Sequence, residues 1–274
     1  MYHAVHELKQ ADYWRVSTLF EDLRYNLVVN SVIAGNTRGR IYVDDVSDPR
    51  TAWVWNRMGT MLVAGNSQNG AFNHALSTAL MQQVLPDARR RGVPSITFHY
   101  SPDAWEDKIG VLLPDLGPQK AQRRFYRFDR LKVNWRKELP PDCAMCRIDE
   151  QLLQQRRLKY IESVVGWILS FWYTTESFLG TGFGFCLLRG SVVASWCLTV
   201  YASGRDVELG LATVFDYRDR GYATLTAGAC AEYTVNKGLI PHWHCDEENL
   251  PSIRVAEKVG FANPTRYDVY TFAL

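Results

Sequence analysis

The sequence predicts an α+β protein in which a mixed, largely antiparallel sheet is flanked by helices, with that unit built twice along the chain. Three observations predict it. Each half has the same order of elements: a strand meander, a loop, a helix, a strand, a second helix and a closing strand. In the second half, Arg189-Gly190 and Ser203-Gly204 separate β-rich runs by tight turns, which marks an antiparallel meander. Finally, 274 residues with 47% hydrophobic and 22% charged side chains describe a globular chain with room for one large domain or two ordinary ones.

The first half opens with a helix expected over residues 12–24, where Trp14, Val16, Leu19, Phe20 and Leu23 recur at helical spacing. A second apolar stretch, 27–34, stops at Gly35-Asn36. Strands are expected over 39–43, 51–56 and 60–64, parted by turns at Asp48-Pro49 and Met58-Gly59. After a polar loop (65–70), Phe72, Leu76, Leu80 and Val84 repeat every four residues as one face of a helix. Pro94 introduces a strand to Tyr100, Ser101-Pro102-Asp103 reads as a helix cap, and a strand is expected over 124–128. Charged residues and Pro140-Pro141 argue against regular structure over 130–141. The boundary is therefore placed there, giving domains 1–135 and 136–274.

The second half has expected helices over 150–158 and 161–173, a loop at Thr174–Phe178, and strands over 182–188, 191–201 and 207–214. A helix over 222–237 stops at Lys237-Gly238; a strand (240–245), a helix (249–259) and a last strand (265–272) close the chain.

Composition excludes several classes of function. A net charge of +2 is too small for a nucleic-acid surface. The polar N-terminus does not read as a signal peptide, and the most apolar run, 164–173, is too short to span a bilayer, so neither nucleic acid nor membrane is expected as a partner. With six cysteines and no secretion signal, a reduced, cytoplasmic setting is expected. Cys143-Ala-Met-Cys146 has no second pair at zinc-ribbon spacing, and alternation along His242-Trp-His244-Cys245 puts Cys245 opposite the histidines, so no metal site is expected.

The stretch from Thr213 to Thr224 carries the chemistry. A β-rich run reaches a turn with Arg218 and Arg220, then Gly221, then a helix N-terminus. Unpaired amides and the helix dipole make such a place an anion site. Gly221 permits close approach, and the arginines offer forked donors to phosphate oxygens. The corresponding loop of the first half, Asn66-Ser-Gln-Asn-Gly70, has no arginine.

The second half resembles the GNAT superfamily of N-acetyltransferases. Its signature [Gln/Arg]-x-x-Gly-x-[Gly/Ala] is matched by Arg218-Asp-Arg-Gly221-Tyr-Ala223 between strand and helix. A second, Asn-x-x-[Ala/Ser] leading to Glu-Lys-x-Gly-Phe, is matched by Asn249-Leu-Pro-Ser252 and Glu257-Lys-Val-Gly260-Phe261. The resemblance covers about residues 145–274 and, with its degenerate first copy, the chain looks like the bacterial two-domain members: a tandem GNAT-like fold. It implies acetyl transfer from acetyl-coenzyme A to an amine of a small molecule or peptide, without a covalent enzyme intermediate. It places the pyrophosphate on Arg218, Asp219, Arg220, Gly221, Tyr222, Ala223 and Thr224, and the pantetheine arm along the strand edge at Thr213 and Val214. That edge lies where the fourth and fifth strands splay, with Asn249 and Ser252 nearby.

The resemblance makes Glu208 the general base. It precedes Gly221 by 13 residues, one fewer than the family spacing, so it faces the site only if a bulge absorbs the difference. Otherwise it is a strand residue facing solvent or pairing with an arginine. The family's thiolate-protonating tyrosine falls at Ala256. Tyr217 and Tyr222 near the cofactor loop, Tyr173 and Tyr201 near the substrate, and release of thiolate to solvent remain as alternatives. His244, Glu247 and Glu176 are further substrate-side candidates, and Ser195 and Cys197 are pocket or core residues. A non-catalytic acyl-coenzyme A sensor and an acyltransferase with a longer-chain donor are the competing functions.

Overall fold

The structure, a computed structural model, describes residues 5–274. The chain divides into two compact units: residues up to Gln122 together with Asp268–Leu274, and Arg123–Tyr267. The boundary expected at 135/136 falls inside the second unit. Each unit is α+β, with a mixed and mostly antiparallel sheet.

In the first unit β1 (His6–Glu7), β2 (Arg40–Val43), β3 (Thr51–Trp55), β4 (Thr60–Gly65) and β5 (Ser95–Ser101) lie side by side in that order. Pairing is antiparallel except between β4 and β5, and Tyr270–Ala273 of the last strand pair antiparallel with β5. The helices are α1 (Val28–Ile33), α2 (Gly70–Ala79), α3 (Leu85–Arg90) and α4 (Ile109–Leu112), and one π turn, Leu80–Val84, joins α2 to α3. Phe72, Leu76, Leu80 and Val84 are buried as expected, against Trp53, Trp55, Phe98 and Trp105. The opening helix is corrected in type and face. Gln10–Leu23 is a 3-10 helix that buries Tyr13, Val16, Phe20 and Leu23 and leaves Trp14 61% exposed. Tyr13 and Val16 line up three apart, and a break in helical geometry at Phe20 (φ −100°, ψ 16°) carries the buried face on to Phe20 and Leu23, so Tyr13 and not Trp14 meets the core.

The second unit takes the end of β6 (Gln119–Phe128) and continues with α5 (Trp135–Glu138), β7 (Cys143–Arg147), α6 (Glu150–Leu153), α7 (Ile161–Phe171) and α8 (Thr175–Thr181). Then follow β8 (Gly184–Arg189), β9 (Val192–Ser203), β10 (Asp206–Thr213), α9 (Tyr222–Asn236), β11 (Ile240–Asp246), α10 (Leu250–Val259) and β12 (Phe261–Ala273). The sheet order is β7-β8-β9-β10-β11-β6, antiparallel except for β10–β11. The expected meander is β8–β10.

Two local readings are corrected, and one strand is added. The stretch 130–141 contains one helical turn, because the Asn134 side chain accepts from Lys137 N at 3.2 Å and caps α5 before the prolines intervene. Cys143–Cys146 lies in β7, with Cys146 opposite Cys186 of β8. Thr174–Phe178 is not a loop: Thr174 and Ser177 form a capping box that starts α8.

Candidate active site

β10 ends at Thr213, whose hydroxyl lies 2.9 Å from Ser195 Oγ, and Val214 N still bonds Ala194 O at 3.0 Å. Beyond it Phe215–Tyr217 make a single 3-10 turn, and Asp219 and Gly221 both take left-handed backbone, at φ 60° and 78°. Aspartate tolerates that region better than most side chains, and glycine takes it without strain. The turn delivers the chain to α9, whose first amides precede the first intrahelical bond, Leu225 N to Gly221 O, and no side chain caps them. A methyl group built on Gly221 meets nothing within 4 Å, so the approach to these amides is open. Arg218 and Arg220 are exposed, with guanidinium groups over the rings of Phe215 and Tyr217 at 5.3 and 5.6 Å. Among the described residues neither has a carboxylate partner, which leaves their forked donors available to an anion. Ala223 and Thr224 are half-buried in the first turn of α9.

The strand leading to this turn parts from its neighbour. β10 and β11 pair in parallel at Asp206–Ile240, Val207–Pro241 and Glu208–His242, and there the ladder stops, although β10 runs on to Thr213 and β11 to Asp246. Residues 209–213 therefore offer an unpaired edge to a chain lying in the gap, as a sheet edge does to an added strand.

At the apex of the gap stands Glu208. The β9–β10 register shifts there: Glu208 faces Tyr201, Leu209 faces Thr199, and Val200 is the extra residue of a bulge in β9. The bulge lies on the neighbouring strand, so alternation along β10 is unbroken: Val207 and Leu209 are buried, while Glu208 and Gly210 point to the face covered by α7. A Cβ at Gly210 would lie 3.1 Å from Trp167, and Phe171 meets the Tyr201 ring edge-on at 5.5 Å. Burial pushes the Glu208 carboxyl up to about 7, against the opposing pull of Arg123. Its charged form is thus poorly solvated, and it exchanges a proton near neutrality.

His242, beside Glu208 in the ladder, places Nε2 2.8 Å from Asp206 Oδ1. His244 Nδ1 lies 3.0 Å from the Tyr267 hydroxyl, which accepts from Arg123 Nε at 3.2 Å, and Arg123 Nη1 donates to Asp246 at 2.6 Å. Phe125 lies against both imidazoles, 5.0 Å from His242 and 4.8 Å from His244. Arg123, Asp206 and Tyr267 were absent from the sequence reading. The alternation Arg123-x-Phe125-x-Arg127 is the available signal, and it begins one residue before the strand expected over 124–128, in the other domain.

The GNAT acetyltransferase family model matches residues 17–270. The chain belongs to the GNAT acetyltransferase family. It is 28% identical over 269 residues to the uncharacterized N-acetyltransferase YdfB of Bacillus subtilis (strain 168), covering 96% of this chain and 97% of that protein. A GCN5-related N-acetyltransferase-like protein from Streptococcus suis 89/1591 has the same fold, with a TM-score of 0.70 at 23% identity, over 96% of this chain and 98% of that one. A tandem GNAT protein from the clavulanic acid biosynthesis pathway superposes with a TM-score of 0.61 at 11% identity, over 98% of each chain. The protein is accordingly an acyltransferase of the N-acetyltransferase type.

Within this GNAT fold the second signature works on packing. Asn249 Oδ1 accepts from Ser252 N at 3.1 Å and caps α10, and Ser252 Oγ accepts from Trp243 Nε1 at 3.1 Å, tying the helix to β11. A Cβ on Gly260 would lie 1.8 Å from the Arg130 carbonyl oxygen, and Phe261 is fully buried against Trp243 and Phe128. Tyr222 turns inward, its hydroxyl 3.6 Å from Cys143 Sγ, so only its backbone faces the turn at Asp219–Gly221. Glu247 is held by Arg124 and Arg266, and the Arg124 hydrogen bond, partly opposed by desolvation and aided by Arg266, keeps its carboxyl down at about 2. Glu176 is exposed on α8; Ser195 and Cys197 are buried, and Ala256 lies in the core.

The first unit differs at both features. Its parallel pair β4–β5 stays in register over five positions, from Thr60–Thr97 to Ala64–Ser101, so its strands do not part. The N-terminus of α2 is already capped, Asn69 Oδ1 accepting from Phe72 N at 3.1 Å.

Proposed function

We propose that this GNAT protein transfers an acetyl group from acetyl-coenzyme A to the primary amine of a small molecule or peptide, at the site of the second unit. The observation that carries the reading is the parting of β10 from β11 above Glu208, leading to an uncapped helix N-terminus with two arginines that have no carboxylate partner among the described residues. The residues fit the donor. The amides of Asp219–Thr224 with Arg218 and Arg220 would hold its pyrophosphate, and the free edge at Thr213 and Val214 would hold its amide-bearing arm. Asn249 and Ser252 support this region through the α10 cap rather than by contact. Bound there, the thioester supplies an activated acyl group, and Glu208 takes the proton of the attacking amine directly or through water. The first unit acts as scaffold.

Six free cysteines suit a reducing compartment and support a cytoplasmic setting. No helix among the described residues is long and apolar enough to cross a membrane. Calorimetric titration with acetyl-coenzyme A, followed by thiol release with a panel of amines, tests the function. Saturable binding and amine-dependent release are expected. Binding that survives Arg218→Ala with Arg220→Ala at full strength would remove the ground for it.

A further inference from the structure

Glu208 fixes where an acceptor amine must lie, because a base works only within reach of the proton it takes. It points to the face of β10 covered by α7, and aromatic rings line that face. Residues directly opposite across an antiparallel pair share a face, so Tyr201, opposite Glu208, and Trp196, opposite Ala212, both belong to it. Two rings of α7 join them. Phe171 stands 5.5 Å from Tyr201, Trp167 5.8 Å from Phe171, and Trp196 6.0 Å from Trp167, each pair meeting edge-on. The row therefore runs alongside Glu208, Gly210 and Ala212 toward the end of the strand. Gly210 lets it lie close, since a Cβ there would be 3.1 Å from Trp167. Tyr201 and Trp196 are buried, whereas Trp167 and Phe171 are half-buried, so part of each α7 ring is still open in the folded unit.

Charge is scarce on the same side. From Ser163 to Thr175 the chain has no charged residue, and where α7 and the segment after it reach the surface they show Leu169, 44% exposed, and Tyr173, 36% exposed. Apolar side chains exposed beside a site mark what that site receives. The next carboxylate along the strand face, Asp206, is already engaged with His242 Nε2 at 2.8 Å. One carboxylate among rings suits one amine nitrogen, which the ring faces also attract while it is still an ammonium. A second ammonium, or a sugar with several hydroxyls, would have to shed its water against the rings.

We propose that the acceptor is an arylalkyl primary amine, a single amine on a short link from an aromatic ring, with Trp167 and Phe171 holding the ring and Glu208 meeting the nitrogen. The assignment deepens the acetyl-coenzyme A reading above and rests on it.

Initial rates of thiol release at saturating acetyl-coenzyme A test it on the wild type, with phenethylamine and tryptamine set against putrescine and glucosamine. The two arylalkyl amines are expected to show kcat/KM about tenfold or more above the other two. Trp167→Leu and Phe171→Leu each keep an apolar side chain between α7 and the sheet. Each should raise KM for phenethylamine about tenfold, with kcat within about threefold and acetyl-coenzyme A affinity by calorimetry within about twofold of the wild type. Equal or better turnover of putrescine or glucosamine by the wild type overturns the assignment, as does an unchanged KM in either variant. A wild type that binds acetyl-coenzyme A and acetylates none of the four amines also overturns it, and leaves the donor reading standing. Failure to bind acetyl-coenzyme A overturns the donor reading, and this assignment with it.

Discussion

Glu208 joins sequence and mechanism most directly, because its direction and its acidity have separate causes. Its direction comes from the unbroken alternation of β10, and its acidity from poor solvation only partly relieved by Arg123. Its carboxylate form accepts protons, so the rate of transfer should climb as pH rises through about 7, and Glu208→Gln should lower kcat/KM by on the order of 100-fold and flatten that limb. Stability should move the other way. The folded protein keeps this proton up to about pH 7, whereas the unfolded chain releases it near the ordinary glutamate value, so the Glu208 contribution falls as pH rises across that interval. Thermal melts of Glu208→Gln should therefore gain on the wild type at pH 8 and not at pH 4. The two arginines of the turn have no such structural role. Replacing Arg218 and Arg220 together by alanine should weaken acetyl-coenzyme A binding at least tenfold by calorimetry while leaving the melting temperature unchanged, since both are exposed and have no carboxylate partner among the described residues.

α10 shows that a family signature can mark a packing requirement. Asn249 is an N-cap, and Gly260 stands where the Arg130 backbone comes too close for any side chain. Asn249→Ala should cost about 1 kcal/mol in denaturant unfolding with little change in cofactor affinity. Gly260→Ala should cost more than about 2 kcal/mol, because backbone rather than a flexible side chain blocks the added methyl. A large loss of affinity in Asn249→Ala, with stability intact, would instead place its side chain against the ligand. The cap and the glycine were both legible as positions in the sequence. What they touch was not, because the Arg130 carbonyl is 130 residues away along the chain and only the folded unit brings it to Gly260.

For the chain as a whole, the two units are unequal in a way that has a countable consequence. The first keeps its parallel strands paired along their length and caps its own helix, and the second does neither. Calorimetry should find one acetyl-coenzyme A per chain. The units also draw on shared strands: the first contains Asp268–Leu274, from the far end of the chain. Tyr270–Ala273 cover β5, and Lys120 Nζ lies 3.0 Å from Asp268. Deleting 268–274 should strip hydrogen-exchange protection from Ile96 and Phe98, whose amides alternate toward the last strand, while Thr97 N, bonded to Gly59 O at 2.7 Å, keeps its partner.

Local chemistry was decided within short windows of sequence: the period-four face of Phe72 to Val84, the turns at Arg189-Gly190 and Ser203-Gly204, and the strand, basic turn and helix of Thr213 to Thr224. Each depends on spacing among near neighbours, so it can be read without the fold. The opening helix shows the limit of that reading, since one change of winding exchanged Trp14 for Tyr13 at the core. The direction of Glu208 depended on which strand took the bulge: it lies in β9, so the alternation of β10 is unbroken. The Arg123–Tyr267–His244 chain joins three strands, β6, β12 and β11, that are distant in sequence. Side chains on separate strands share a face only once register and bulges are set, and those are properties of the assembled sheet.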